Sequence, residues 1–265
     1  MNRHLITYLV CAMVISPSSY AVELIGKTAS KKPVNVVSEI SGVIEQANLQ
    51  TGDVITQGQR LATVKDQDFK LEVRKQQANV SLVKADLDIK QSVYTRYQEL
   101  RAKNSLSQNE LDVAKADYAA AQASLSLAKI ELEKAMMDLS STNISTAING
   151  HVVERVIEEG AWVNKGDLLY RLTNIDQLNV RLLASEFDLQ ALSVGQPIQL
   201  WSEAQPTQQV VAEINRISVE LDTVTFSYII EVDINNAQHL FKPGMSIHAT
   251  TEFDTNSNVR AMTTQ

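Results

Sequence analysis

Side chains that could do catalytic or metal-binding chemistry are few and scattered along this sequence. The histidines beyond the N-terminal segment are His151, His239 and His248, and no two of them lie at a spacing typical of metal ligands. No glycine-rich phosphate loop, nucleophile elbow or metalloprotease histidine pair occurs. The single cysteine, Cys11, lies in an apolar run near the N-terminus. The sequence therefore predicts a protein without catalytic residues, metal or cofactor.

The segment from Arg96 to Ser107 contains side chains of three different chemistries. Arg96 supplies a positive charge, Leu100 an apolar anchor and Ser107 a hydroxyl group. Such a set adds one apolar contact and directed hydrogen bonds to an interface, and repetition around a ring strengthens a weak contact. The alternative is that Leu100 packs between helices, Ser107 only caps a helix and Arg96 is a solvated charge.

Two long helical patterns flank this segment. Each lacks glycine and proline over about 34 residues, and apolar residues recur three and four apart as in a coiled-coil seam. The first seam is weaker because Gln76 and Lys90 interrupt it. The predicted seams consist of Phe69, Val73, Gln76, Val80, Val83, Leu87, Lys90, Tyr94 and Tyr97, and of Leu111, Ala114, Tyr118, Ala121, Leu125, Ala128, Leu132, Ala135 and Leu139.

The connection between the two patterns is short, so we expect the helices to form an antiparallel hairpin. Ser107 with Glu110 three residues later predicts a capping box at the start of the second helix. A second apolar stripe on each helix favours lateral contact with neighbouring hairpins, although one broad seam would give the same pattern. This second stripe comprises Ala78, Leu82, Ala85, Ile89 and Val93, with Val113, Ala120, Ala123, Leu127 and Ile130.

The sequences before and after the hairpin are related by an internal repeat with an offset of 108 residues. Three glycines of the first copy align without a gap with three of the second: Gly42 with Gly150, Gly52 with Gly160, and Gly58 with Gly166. Glycine suits tight turns, and the flanking aliphatic residues suit short strands. Neither copy is long enough to bury a core alone, so we expect the two to form one β-sandwich.

The sequence after Leu172 lacks the long helical periodicity of the hairpin and consists of short apolar runs. It predicts four to six short strands and a short helix from Ser185 to Ser193, which is typical of a small antiparallel barrel. Pro243 and Gly244 predict a turn before the last strand.

Each half of the repeat resembles half of a biotinyl/lipoyl domain, split around a hairpin as in the periplasmic adaptor, or membrane fusion, proteins of tripartite efflux systems. Arg96, Leu100 and Ser107 are similar to the motif with which these adaptors dock onto a TolC-like outer-membrane channel, although Tyr97 replaces a leucine. The resemblance implies an elongated α+β multidomain fold. Its parts would be an antiparallel α-helical coiled-coil hairpin inserted in a split lipoyl/biotinyl-like β-sandwich, followed by a small antiparallel β-barrel.

Residues 1–21 have the basic start, short apolar run and small final residues of a cleaved secretory signal. Cys11 lies too early in that run for a lipid anchor. The other expected domains are a lipoyl-like domain at 34–66 and 144–173, the hairpin at 67–143, the barrel at 174–254 and a tail at 255–265. A membrane-proximal domain, usual in the family, is expected to be absent or vestigial.

These features predict a periplasmic adaptor that joins an inner-membrane transporter of the RND type to the outer-membrane channel, for export of drugs or other small toxic molecules. The resemblance implies a ring of six copies. An ABC-type exporter is the alternative transporter. A lipoyl or biotinyl carrier is disfavoured because the hairpin replaces the turn that carries the modified lysine, and a purely structural coiled coil is a third reading. A net charge of −7 without a basic cluster disfavours nucleic acid.

Overall fold

The computed structural model describes residues 21–253. The predicted signal peptide, except Ala21, and the predicted tail therefore lie outside the described residues. The chain forms two compact units. One spans residues 32–174, and the other combines residues 21–31 with residues 175–253.

The first unit contains a β-sandwich of two four-stranded sheets, with orders β2-β9-β7-β4 and β6-β5-β3-β8. Its core includes Ile44, Leu61 and Tyr170, all almost fully buried. The strands are β2 (Val34–Val37), β3 (Gly42–Gln46), β4 (Val54–Ile55), β5 (Arg60–Val64), β6 (Asn143–Ser145), β7 (Gly150–Arg155), β8 (Trp162–Val163) and β9 (Leu168–Thr173). Because β3 pairs with β8 and β4 with β7, each half of the repeat completes the sheet of the other.

The sequence repeat is reproduced in the hydrogen bonds of the sandwich. The Gly52 N–H donates to the Val152 carbonyl at 2.8 Å, and 108 residues later the Gly160 N–H donates to the Ile44 carbonyl, also at 2.8 Å. Gly58 and Gly166 likewise donate across the halves, to Thr146 at 2.8 Å and to Ser38 at 2.7 Å respectively. The prediction that the two copies form one sandwich is confirmed.

The glycines of the repeat have two different roles. Gly52 and Gly160 adopt φ angles of +97° and +80°, which side chains with a Cβ atom rarely accept. Gly42 and Gly150, which the sequence placed in turns, instead begin strands β3 and β7. Gly150 is required there for space, since a Cβ atom on it would lie 2.1 Å from the Thr173 carbonyl oxygen, and a Cβ atom on Gly42 would lie 2.6 Å from the Val64 Cγ1 atom.

The hairpin inserted between the two halves consists of α1 (Gln67–Ala102) and α2 (Gln108–Ser140). All residues of the predicted α1 seam are half-buried, and the alanines of the α2 seam are buried. The rings of Tyr94 and Tyr118 stack with centroids 5.7 Å apart, and the Lys90 Nζ atom lies 2.9 Å from the Asp117 carboxylate. The predicted seam is therefore confirmed, and Lys90 occupies it by extending its charged end to the partner helix.

The second unit is a closed six-stranded barrel with the order β1-β10-β13-β12-β11-β14. Its strands are β1 (Glu23–Ser30), β10 (Gln177–Ala184), β11 (Pro197–Ser202), β12 (Gln205–Ile217), β13 (Tyr228–Asn235) and β14 (Ser246–Thr250). The predicted bounds of 174–254 omit β1, which pairs with both β10 and β14 and closes the barrel. The predicted helix from Ser185 to Ser193 is only a short 3-10 helix, Asp188–Ala191.

The turn at Pro243 and Gly244 fixes β1 in place. Gly244 has a φ angle of +91°, and its N–H donates to the Thr28 carbonyl at 2.8 Å. The Thr28 hydroxyl donates to the Lys242 carbonyl at 2.6 Å. The turn thus leads into the last strand, as the sequence predicts, and also binds the first strand of the barrel.

Within residues 21–253, neither helix combines the length with the apolar character needed to cross a bilayer.

Candidate docking site at the hairpin tip

The end of α1 is fixed by backbone hydrogen bonds. The Ser105 N–H donates to the Leu100 carbonyl and the Asn104 N–H to the Arg101 carbonyl, both at 2.9 Å. This pair of bonds is the Schellman arrangement, in which the residue after the C-cap adopts the left-handed conformation. Asn104 does so with a φ angle of 55°. Asparagine tolerates this conformation better than most residues, so the chain can reverse within a few residues.

The start of α2 is fixed by the predicted capping box. The Glu110 N–H donates to the Ser107 hydroxyl at 3.3 Å, and the Ser107 N–H donates to the Glu110 carboxylate at 3.0 Å. The Ser107 hydroxyl also donates to that carboxylate at 2.6 Å. These hydrogen bonds favour the ionised form, so the pKa of Glu110 lies below its ordinary value.

The Arg101 guanidinium ties the turn together. Its Nη1 atom donates to the Leu106 carbonyl at 3.0 Å, bridging the end of α1 and the segment before α2. Arg101 and Asn104 lie in the segment that the sequence places between the two helices, but their roles in the turn were not predicted. The position of Asn104 just beyond a helix was a usable signal, because asparagine is the residue most suited after glycine to such an end.

The three residues predicted to dock lie in the last turns of α1 and at the start of α2. The Arg96 side chain is exposed and makes no hydrogen bond or ion pair with any other described residue. Leu100, one helical turn later, is half-buried. The Ser107 side chain is exposed, yet its hydroxyl is already used by the cap. The structure therefore leaves Arg96 and part of Leu100 available at the tip, while Ser107 shapes the turn.

The second apolar stripe of α1 continues into the tip. Ile89 and Val93 are followed at helical spacing by Arg96 and Leu100, so these four residues share one face of the helix. The stripe is exposed away from the tip: Leu82 is 71% and Ile89 is 61% exposed. A partner that lies along the second apolar stripe of α1 therefore also contacts Arg96 and Leu100 at the tip end of that stripe.

The described residues contain no cluster of three or more histidine, cysteine or acidic side chains that could hold a metal ion. The tip combines an exposed cation, a partly exposed leucine and a rigid turn. This arrangement is suited to binding a protein surface.

Comparison with known proteins places the fold in a family. Residues 32–174, more than half of the chain, match the family model described as the CzcB-like, barrel-sandwich hybrid domain. The chain belongs to this family of periplasmic adaptor, or membrane fusion, proteins. Residues 180–254 of the adaptor match a second model, the CusB-like, beta-barrel domain.

Relatives of the adaptor are subunits of efflux pumps. It is 25% identical over 263 residues to the antibiotic efflux pump periplasmic linker protein ArpA of Pseudomonas putida, covering 93% of this chain and 67% of that protein. It is 26% identical over 258 residues to the multidrug efflux pump subunit AcrA of Escherichia coli K12, covering 91% of this chain and 64% of that subunit. The chain thus spans about two thirds of the length of these relatives.

Solved structures share the fold at low identity. A MacA-MexA chimera that contains the Pseudomonas aeruginosa MexA α-hairpin has a TM-score of 0.66 at 21% identity, covering 88% of this chain and 78% of the chimera. The membrane fusion protein Spr0693 of Streptococcus pneumoniae R6 has a TM-score of 0.67 at 18% identity, covering 88% of this chain and all of that one. The predicted fold class is confirmed.

Proposed function

We propose that this adaptor works in the periplasm, where it links an inner-membrane RND-type efflux transporter to a TolC-like outer-membrane channel. The observation that carries the proposal is the rigid hairpin tip, which presents Arg96 and Leu100 beside a capped turn. The adaptor performs no catalysis, and the transporter supplies the energy. Because the relatives include antibiotic and multidrug efflux subunits, the proposed cargo is drugs or other small toxic molecules.

The hairpin has the length needed to span a gap between partners. With 36 residues, α1 extends about 54 Å at 1.5 Å per residue. Its tip therefore reaches a partner well beyond the sandwich, where α1 begins and α2 ends. This separation of tip and sandwich suits an adaptor that contacts one protein with each end.

Self-association would bring several tips to the same channel. The second apolar stripe is exposed in the single chain, with Val113 55%, Leu127 59% and Ile130 59% exposed on α2. Contiguous exposed apolar side chains are typical of a surface that contacts another protein. We propose that neighbouring hairpins cover these residues in a ring, with six copies as the family resemblance implies, and that the ring encloses the conduit.

The transporter class is the second part of the proposal. The reading frame next to the adaptor gene tests it. If that frame encodes a transporter with twelve spans and two large periplasmic loops, the RND type is supported; a nucleotide-binding motif supports the ABC type.

The carrier alternative has its own test. A lysine with an added lipoyl or biotinyl mass in the purified protein would support a carrier and would argue against the adaptor.

The docking role is tested with Arg96→Asp in cells that depend on this adaptor for drug resistance. We expect resistance to be lost while secretion and folding are retained, because Arg96 is exposed and no described residue pairs with it. Arg74→Asp is the matched control: it makes the same charge change on an exposed arginine of the same helix, about 33 Å closer to the sandwich. Unchanged resistance with Arg96→Asp would remove the case for docking through the tip.

A further inference from the structure

The outer face of the barrel carries a row of apolar and aromatic side chains in register across five neighbouring strands. His248 of β14 faces Trp201 of β11 on one side and Ile25 of β1 on the other. Ile25 faces Leu183 of β10, which in turn faces Ile229 of β13. We call these five residues the outer row. With strands about 4.8 Å apart, the outer row is about 19 Å long.

Successive side chains along a strand point alternately into and out of the barrel, and this alternation places the outer row on the outside. The preceding or following residue on each strand is almost fully buried inside the barrel; these inward residues are Leu24, Leu182, Leu200, Ile230 and Ile247. Ile25, in contrast, is 59% exposed. Since the core is already filled by the inward set, the outer row adds nothing to it. Four outward aliphatic or aromatic positions and one histidine in one line are unusual for a barrel surface that faces only water.

The middle of the outer row forms the floor of a groove. The groove has a volume of about 520 Å³ and is lined by Ile25, Leu183, Ile229 and His248, among others. This volume lies in the range of about 300–1,000 Å³ found for small-molecule sites. One wall is the loop between β12 and β13, which contributes Asp222 and Thr225.

The loop that forms this wall, residues 218–227, is itself apolar at its surface. Val219 is 99%, Val224 85% and Phe226 78% exposed. The Asp222 carboxylate accepts a hydrogen bond from the Val224 N–H at 2.7 Å, which fixes the loop without using the apolar side chains. The groove is therefore bounded by closed-barrel strands on its floor and by a hydrogen-bonded loop on one side.

The charges at the groove cancel. Lys27 and Arg181 line it, and so do Glu203 and Asp222. The Arg181 guanidinium forms an ion pair with the Glu231 carboxylate, with an N–O distance of 3.3 Å. The Asp222 carboxylate accepts hydrogen bonds from backbone N–H groups of its own loop. A charged ligand would find no net field of opposite sign, whereas an uncharged apolar ligand would cover the exposed side chain of Ile25.

We propose that this groove binds a small, uncharged, apolar molecule along the outer row. The molecule lies over Ile25 and Leu183, with His248 at one end and the loop at the other. The site belongs to the barrel alone and goes beyond the adaptor role of the hairpin. Loss of docking at the tip would leave it intact, so the two proposals fail independently.

The stack of Trp201 on His248 provides a direct readout. The ring centroids are 5.9 Å apart and the planes differ by 15°, so a ligand that contacts His248 lies close to Trp201. The probe is the uncharged fluorophore N-phenylnaphthylamine, titrated into the purified full-length chain that carries Trp162→Phe. Saturable energy transfer from Trp201 to the bound probe is the expected result.

The variant Ile25→Glu places a charge on the floor of the groove, and Ile25→Gln changes the same side chain without adding charge. We expect the glutamate variant to weaken probe binding by about tenfold, roughly the factor that corresponds to one lost aliphatic contact. Val194→Glu is the matched control, because Val194 is also exposed (65%) in this unit but does not line the groove.

Circular dichroism and thermal unfolding confirm that each variant is folded, and Ile25→Gln serves if the glutamate variant does not fold. Equal affinity in the Ile25 and Val194 variants would overturn the proposal. Absence of saturable energy transfer in the parent would overturn it as well, and would leave the outer row as a surface for a protein partner.

Discussion

Replacement of Ser107 tests its role as the cap of α2. In Ser107→Ala, the Glu110 N–H loses its acceptor at 3.3 Å and the Glu110 carboxylate loses a donor at 2.6 Å. Removing an N-cap serine costs about 1 kcal/mol. Asparagine accepts the same backbone hydrogen bond, so Ser107→Asn should stay within a few tenths of a kcal/mol of the parent (~0.3 kcal/mol).

The destabilisation should be local to the tip. The first turn of α2 and the Arg101–Leu106 bridge lie beside the cap, whereas the seam begins at Leu111. Hydrogen exchange measured by mass spectrometry should show faster exchange for peptides that cover residues 104–112 in the alanine variant. Peptides from the α2 seam should exchange as in the parent.

The stability of the Ser107–Glu110 cap should fall in acid. The pKa of Glu110 is lowered from its ordinary value of 4.5 by the hydrogen bonds from Ser107. The stabilisation is therefore present above that ordinary value and is lost as the pH falls through the lowered pKa. The alanine variant should show a weaker dependence of tip exchange on acid. Identical exchange profiles for parent and alanine variant at neutral pH would refute the assignment of Ser107 as the cap.

Substitutions at three further positions test the fold. Tyr170→Phe removes the hydrogen bond from a fully buried hydroxyl to the Leu61 carbonyl at 3.0 Å and should cost about 1 kcal/mol in urea unfolding. Burial raises the pKa of Tyr170, so its contribution is present below the ordinary value of 10.0 and is lost as the pH rises through the raised pKa; the Phe variant should lose this alkaline sensitivity. Gly150→Ala forces a Cβ atom to within 2.1 Å of the Thr173 oxygen, and a loss of more than about 2 kcal/mol is expected, visible as a lower urea midpoint. Asn104→Val, at a φ angle of 55°, should cost about 1–2 kcal/mol and increase exchange at the tip, whereas Asn104→Gly should not.

The hairpin and the repeat could be read from the sequence because their signals are local or periodic. The α2 seam alternates leucine or tyrosine with alanine at spacings of three and four, and its four alanines are buried as that period requires: Ala114, Ala121, Ala128 and Ala135. The repeat aligns without a gap, so Gly52 and Gly160 pointed to the same turn in both halves. Neither inference needed knowledge of which distant strands pair.

The first strand of the barrel was missed because its partners are distant in sequence. Ile25 pairs with Leu183 and His248, and no local pattern indicates either contact. The outer row could not be predicted from the sequence for the same reason, since its five members come from five strands. Gly150 was assigned to a turn because glycine usually marks one, whereas its actual constraint is a carbonyl oxygen from a neighbouring strand.

The proposed function depends on contact between the hairpin tip and the outer-membrane channel. The most direct measurement is photo-crosslinking in cells, with a benzoyl-phenylalanine side chain placed at Leu100 or, as the matched control, at Leu71. Leu71 lies on the same helix, is 54% exposed, and is about 44 Å closer to the sandwich. We expect an adduct with the channel protein from position 100 and none from position 71. An adduct of equal yield from position 71, or no adduct from position 100 in cells that export the drug, would contradict it.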